Sequence, residues 1–145
     1  MKKIGEYTAR GRLKHRITQR ITLFDGRFDT GYKVVSFQLL TDDPSTAAND
    51  VYGVLATEEV AATNDWNLGD QRQIGWAGHE VRSGGPAQAG GTVDPDNFVV
   101  EDLYVRGSNG GGTNYYVNYI IVLEKYETTD WRGALALVRN SAQSS

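Results

Sequence analysis

The chain has 145 residues, 39% of them hydrophobic and 23% charged, with no cysteine and a formal net charge of −3. That length and apolar share predict one soluble domain with one core, 1–145, and argue against bulk disorder. The lack of cysteine excludes disulfide staples, thiolate zinc sites and a cysteine nucleophile.

The small net charge hides an asymmetry. Residues 1–20 carry seven bases (Lys2, Lys3, Arg10, Arg12, Lys14, Arg16 and Arg20) against one acid, Glu6, for +6. The other 125 residues carry eight bases and seventeen acids, for −9. The sequence therefore reads as a basic arm, about 1–20, on an acidic body. From Thr8 to Ile17 polarity alternates, so a strand would set Arg10, Arg12, Lys14 and Arg16 on one face and Ala9, Gly11, Leu13, His15 and Ile17 on the other. The alternation continues through Gln19, Ile21 and Leu23. Turn residues Asp25-Gly26 and Asp29-Thr30-Gly31 follow, predicting one long strand that ends in a hairpin around 25–31.

Tyr32 to Leu40 alternates as a second strand and stops at Thr41-Asp42-Asp43-Pro44. Val51 to Thr57 reads as a short strand, 58–67 fits a helical turn or an irregular loop, and Arg72 to Val81 reads as a strand through Ile74 and Trp76. The Gly/Pro-rich stretch 83–97 has the length of a loop that serves function or mobility. Phe98 to Arg106 reads as a strand and 107–113 as a flexible hairpin tip. Tyr115 to Tyr126 is the strongest strand: Tyr115, Val117, Tyr119, Ile121 and Leu123 lie on one side, and Tyr116, Ile120, Val122 and Tyr126 on the other, so it should be central and covered on both sides. A helix is expected over about 130–143, where Trp131, Leu135 and Val138 recur at i, i+4 and i+7 as an interface stripe, at a cost of about 1 kcal/mol for Gly133. Many short strands between turn signals predict an all-β fold, an antiparallel β-sandwich or jelly roll with a short C-terminal helix.

No motif for nucleophilic, zinc-hydrolase, nucleotide or dinucleotide chemistry is present. His15, inside the basic arm, and His79 stand apart from any second histidine at metal spacing, and His79 reads as an ordinary packing or surface histidine. Glu58-Glu59 and Glu101-Asp102 are neighbours in sequence, so in a strand their side chains diverge. Asp94-Pro95-Asp96-Asn97 resembles half of a calcium loop but has Phe98 where a ligand is required. A calcium site pooling Asp94 and Asp96 with Asp42 and Asp43 is weighed against solvated turns, and the turns are preferred. No catalytic residue, metal or cofactor is expected, and the chain is read as a non-enzyme. Trp66, which reads as a loop aromatic in Asn64-Asp65-Trp66-Asn67, and Trp76 raise carbohydrate stacking as an alternative, with a core role the default for Trp76.

The cationic stripe has three readings: a solvated face, a nucleic-acid contact through phosphate neutralisation, or a contact with the acidic body of another copy. The third uses both halves of the charge split and is preferred. No apolar run reaches membrane-spanning or signal-peptide length, so cytoplasmic synthesis without a membrane is expected.

Two stretches, TLFDGRFDTGYKVVSFQL and NFVVEDLYVRGSN with NYYVNYIIVLEKYETTDWRGALALVRNSAQ, resemble small β-rich virion proteins of marine tailed phages and, more loosely, viral single jelly-roll subunits. The resemblance implies a capsid, cement or tail-associated structural role in a virion, with copies of itself and other virion proteins as partners. The arm and the helix would then reach to neighbours. Genome-packaging coat proteins of that kind often carry a longer, more cationic arm than +6, so the resemblance points to subunit contact. The alternative function is a carbohydrate- or nucleic-acid-binding β-sandwich module, cytoplasmic if the chain is not viral.

Overall fold

The computed structural model describes residues 2–27, 29–45, 49–59, 66–81 and 88–127. They form eight strands: β1 (Lys2–Lys14), β2 (Thr18–Thr22), β3 (Thr30–Thr41), β4 (Val51–Ala56), β5 (Gln73–Glu80), β6 (Gln88–Val93), β7 (Asp102–Asn109) and β8 (Tyr116–Glu127). Two sheets result, in spatial orders β1-β8-β3 and β2-β7-β4-β5-β6. Every strand pairing is antiparallel. The all-β expectation holds. The expected helix, with Trp131, Leu135 and Val138, lies outside the described residues.

β8 occupies the middle of its sheet, as its apolar run predicted. Leu123, Ile121 and Val117 face Val34, Phe37 and Thr41 on β3 and Tyr7, Ala9 and Leu13 on β1 in register. Against this inner face the second sheet lays Val51, Leu55, Ala77, Leu103 and Val105, and the two sets form one core with Ile74 and Val99. Burying such branched side chains stabilises the fold by about 1.5–3 kcal/mol each. The cover expected on both sides of β8 is met only on the inner one: the second sheet packs there, while Tyr116, Ile120, Val122 and Tyr126 on the outer face keep partial exposure.

Four expectations fail. The stretch from Thr8 to Leu23 is not one strand. It breaks at Arg16, whose φ of 62° is left-handed, and there the chain leaves one sheet for the other as β1 ends and β2 begins. Residues 25–31 are not a hairpin, since β2 pairs with β7 and β3 with β8. The Gly/Pro-rich stretch contains β6, a strand paired with β5. Its glycines concealed it, because Gly90 and Gly91 erase the alternation that marks a strand. Finally, 107–113 is not a hairpin tip: Gly107, Ser108 and Asn109 are buried parts of β7, and the turn after them crosses between sheets.

β6 also closes one side of the core. It lies against β3 so tightly that a Cβ on Gly91 would sit 1.9 Å from the Phe37 carbonyl oxygen, a contact only glycine permits. Polar side chains fasten other gaps. Buried Asn97 accepts from the Val34 amide (2.7 Å) and donates to the Val34 carbonyl (2.8 Å), beside the bulge at Val34/Ser36. One side chain thus supplies what a neighbouring strand would.

Candidate functional site

The basic segment is an edge strand of the three-stranded sheet rather than a free arm. Alternation along β1 directs Arg10, Arg12 and Lys14 outward, in register with Ile120, Asn118 and Tyr116 of β8. Arg16 does not join them; it sits in the turn after β1, where its amide donates to the Gly107 carbonyl (2.8 Å). The three outward cations also differ among themselves. Arg12 stacks over the Tyr116 ring, 4.2 Å from the centroid, and pairs with Asp42 at 3.5 Å. Arg10 and Lys14 are exposed and have no ion pair among the described residues. Further along the same face Lys3 is clamped between Glu6 and Glu124, which raises its pKa and lowers that of Glu124.

Beside these cations the middle of the face mixes polar and apolar side chains, with Asn118 of β8 opposite Leu40 and with Ser36 and Gln38 of β3 opposite Val122 and Ile120. Ile120 and Val122 of β8 are half-exposed, and Leu40 and Val35 of β3 are exposed. The face is therefore a mixed surface with exposed apolar side chains and, along one margin, two cations that have no ion pair among the described residues, a composition suited to contact.

Both histidines are structural. His79 on β5 is buried and its Nδ1 accepts the Thr41 amide of β3 (3.1 Å), tying the two sheets together. His15, in the β1–β2 turn, accepts the Asn109 amide of β7 at Nδ1 (2.9 Å). Partial burial, with Arg16 and Arg106 nearby, lowers the His15 pKa below 6.5. In each ring the accepting Nδ1 leaves Nε2 to carry the proton.

The acids weighed for calcium serve the backbone instead. Asp94 accepts the Asp96 amide (3.0 Å), and Asp43 accepts the Ser45 amide (3.1 Å). Asp42 accepts the Tyr116 amide (3.1 Å) besides pairing with Arg12. The two loops meet different parts of β3: Asn97 binds Val34 near its start, whereas Asp42 follows its end at Thr41. Among the described residues no group of three metal-ligating side chains converges. No described helix is long and apolar enough to cross a membrane.

The outer face of the five-stranded sheet carries a second feature, a cleft of about 400 Å3 lined by Asp50, Tyr52, Trp66, Gly78, His79 and Gly90 among others. Trp66 was singled out in the sequence as a loop aromatic. Tyr52 and the glycines were not, since their meeting depends on the β4-β5-β6 register. Trp76 is neither core nor cleft: it is half-buried on the outer face, its indole donating to Gln73 Oε1 (2.9 Å).

Comparison of the chain with protein-family models, with curated proteins and with solved structures returns no match.

Proposed function

We propose that the chain is a non-enzymatic structural subunit that assembles with copies of itself, and that it serves in a virion as a capsid, cement or tail-associated component. The observation that carries the assembly reading is the outer face of the β1-β8-β3 sheet: half-open Ile120, Val122 and Leu40 beside Arg10 and Lys14, two cations with no ion pair among the described residues. The surplus of acid in residues 21–145 supplies the complement on a neighbouring copy, and opposite charges across an interface guide and orient association. Eight antiparallel strands in the orders β1-β8-β3 and β2-β7-β4-β5-β6 support a finer reading of the sandwich as a jelly roll, with β6 at the end of the second row and packed against β3. That architecture is common in viral coats, though also in lectin domains, and the virion assignment rests on the sequence resemblance.

The test is the double variant Arg10→Glu/Lys14→Glu, with Arg12 left alone because it also holds Tyr116 and Asp42. Particle mass in solution should fall to that of a smaller species while the circular dichroism spectrum and melting temperature stay close to those of the parent. Raising salt should loosen the parent assembly in the same way. A parent that stays monomeric at high concentration overturns the proposal. So does a variant that keeps its mass but no longer binds DNA or RNA, which transfers the face to nucleic acid.

A further inference from the structure

The glycines of the strands fall into two groups. Those facing the core have a packing reason: a Cβ on Gly53 would lie 2.2 Å from the Arg106 carbonyl oxygen, and one on Gly91 would collide with Phe37. Gly90 has none, for a Cβ there would meet nothing within 4 Å. Glycine in a strand weakens it, so an outward glycine with open space above it marks a place where something else approaches.

Register makes a trough of it. Gly90 on β6 pairs with Gly78 on β5, and Gly78 pairs with Tyr52 on β4, so two adjacent strands present bare backbone beside an aromatic ring. Trp66 closes the far side, with its ring edge 4.0 Å from where a Gly78 Cβ would stand. Its indole N–H is fixed on the Gly53 carbonyl at 3.0 Å, yet the residue is 51% exposed, and Tyr52 is 38% exposed. Trp66 is thus held in place with its only polar atom satisfied and much of its ring offered to solvent. Asp50 stands at the rim with one carboxylate oxygen fixed by the Val81 amide (2.7 Å), and Glu80 also lines the cleft.

We propose that this cleft binds a neutral saccharide, one pyranose ring lying in the glycine trough with its C–H face against Trp66 and Tyr52 and its hydroxyls donating to Asp50. A flat ring that is apolar on its face and rich in donors at its edge matches preorganised aromatics beside a carboxylate. The Asp50 carboxylate at the cleft disfavours a polyanion, which separates this site from a nucleic-acid groove. The inference is independent of the assembly reading and uses the opposite sheet.

The probes are maltohexaose, cellohexaose and a galacto-oligosaccharide, with heparin as the anionic control, followed by tryptophan fluorescence and calorimetry on the full chain. At least one neutral probe should bind at millimolar concentration or below and shift the Trp66 emission. Gly90→Val should fold as well as the parent, because its side chain enters open space on a strand, yet should lower that affinity at least tenfold by filling the trough. Trp66→Ala should do the same by removing the platform, and particle mass should not change in either variant. The proposal is overturned if no neutral probe binds, if heparin alone binds, or if Gly90→Val leaves affinity intact. It is also overturned if Gly90→Val disrupts the particle, since the trough would then be a subunit contact.

Discussion

Asp25 shows how much of this fold is held by single polar side chains at the ends of strands. It follows β2, accepts from the Arg27 amide and the Thr30 hydroxyl, and pairs with Lys125 of β8. The lysine above all, with those two donors, holds its carboxyl at about 2 instead of the ordinary 3.8. A depressed carboxylate contributes stability that is complete above its unfolded value and is lost as pH falls through its folded value. The melting temperature should therefore drop between about pH 4 and pH 2, and Asp25→Asn should flatten that limb. His15 acts in a higher window with the same sign. Its folded pKa lies below 6.5, so the unfolded chain takes up the proton first and stability declines as pH drops below 6.5, until the native ring also protonates. Replacing His15 with Ala should remove this step and leave the partly buried Asn109 amide without an acceptor, at a cost of about 1–3 kcal/mol in chemical denaturation. Asn97→Ala should cost about as much for each of the two Val34 backbone groups it strips; a loss under 0.5 kcal/mol would mean that water replaces the side chain.

At the scale of elements, what was legible followed side-chain period. β3, β4, β5 and β8 were all readable from alternation or apolar runs, and the core face of β8 was read correctly through Val117, Ile121 and Leu123. Truncating Ile121 or Leu123 to Ala should destabilise the fold by about 2–5 kcal/mol, measured by urea denaturation. Elements were missed where the period was silent. β6 carries two glycines in six residues and showed no pattern, and the break at Arg16 follows from backbone conformation, which a non-glycine residue does not announce. Of the four cations expected on one face, that break removed Arg16. The pairing of Arg12 with Asp42 was hidden for a different reason: thirty residues separate them in sequence, and only the β1-β8-β3 register unites them. Likewise Trp66 was visible as a loop aromatic, but the glycine trough it overlooks was not.

The whole molecule is assembled from distant parts of the chain, and this has a consequence for how it comes into being. β1 and β3 both hydrogen-bond to β8, from Lys2 opposite Glu127 to Thr41 opposite Val117. Pairing across such separations is entropically expensive, which places folding in the slow range of about milliseconds to seconds rather than microseconds. During synthesis the delay is longer still. At about 5–20 residues per second, the 86 residues from Thr41 to Glu127 take roughly 4–17 s to emerge, and for that time the first and third strands wait for their shared partner. The β4-β5 hairpin, by contrast, can close as soon as residue 80 clears the ribosome. A nascent chain arrested before residue 116 should thus protect β4 and β5 from proteolysis while leaving Lys2–Lys14 open to cleavage, and release of the full chain should abolish that cleavage. On the assembly proposed above, the same order of events would keep the cationic strand from presenting its contact face until β8 has arrived, so topology alone would suppress premature association of half-made subunits.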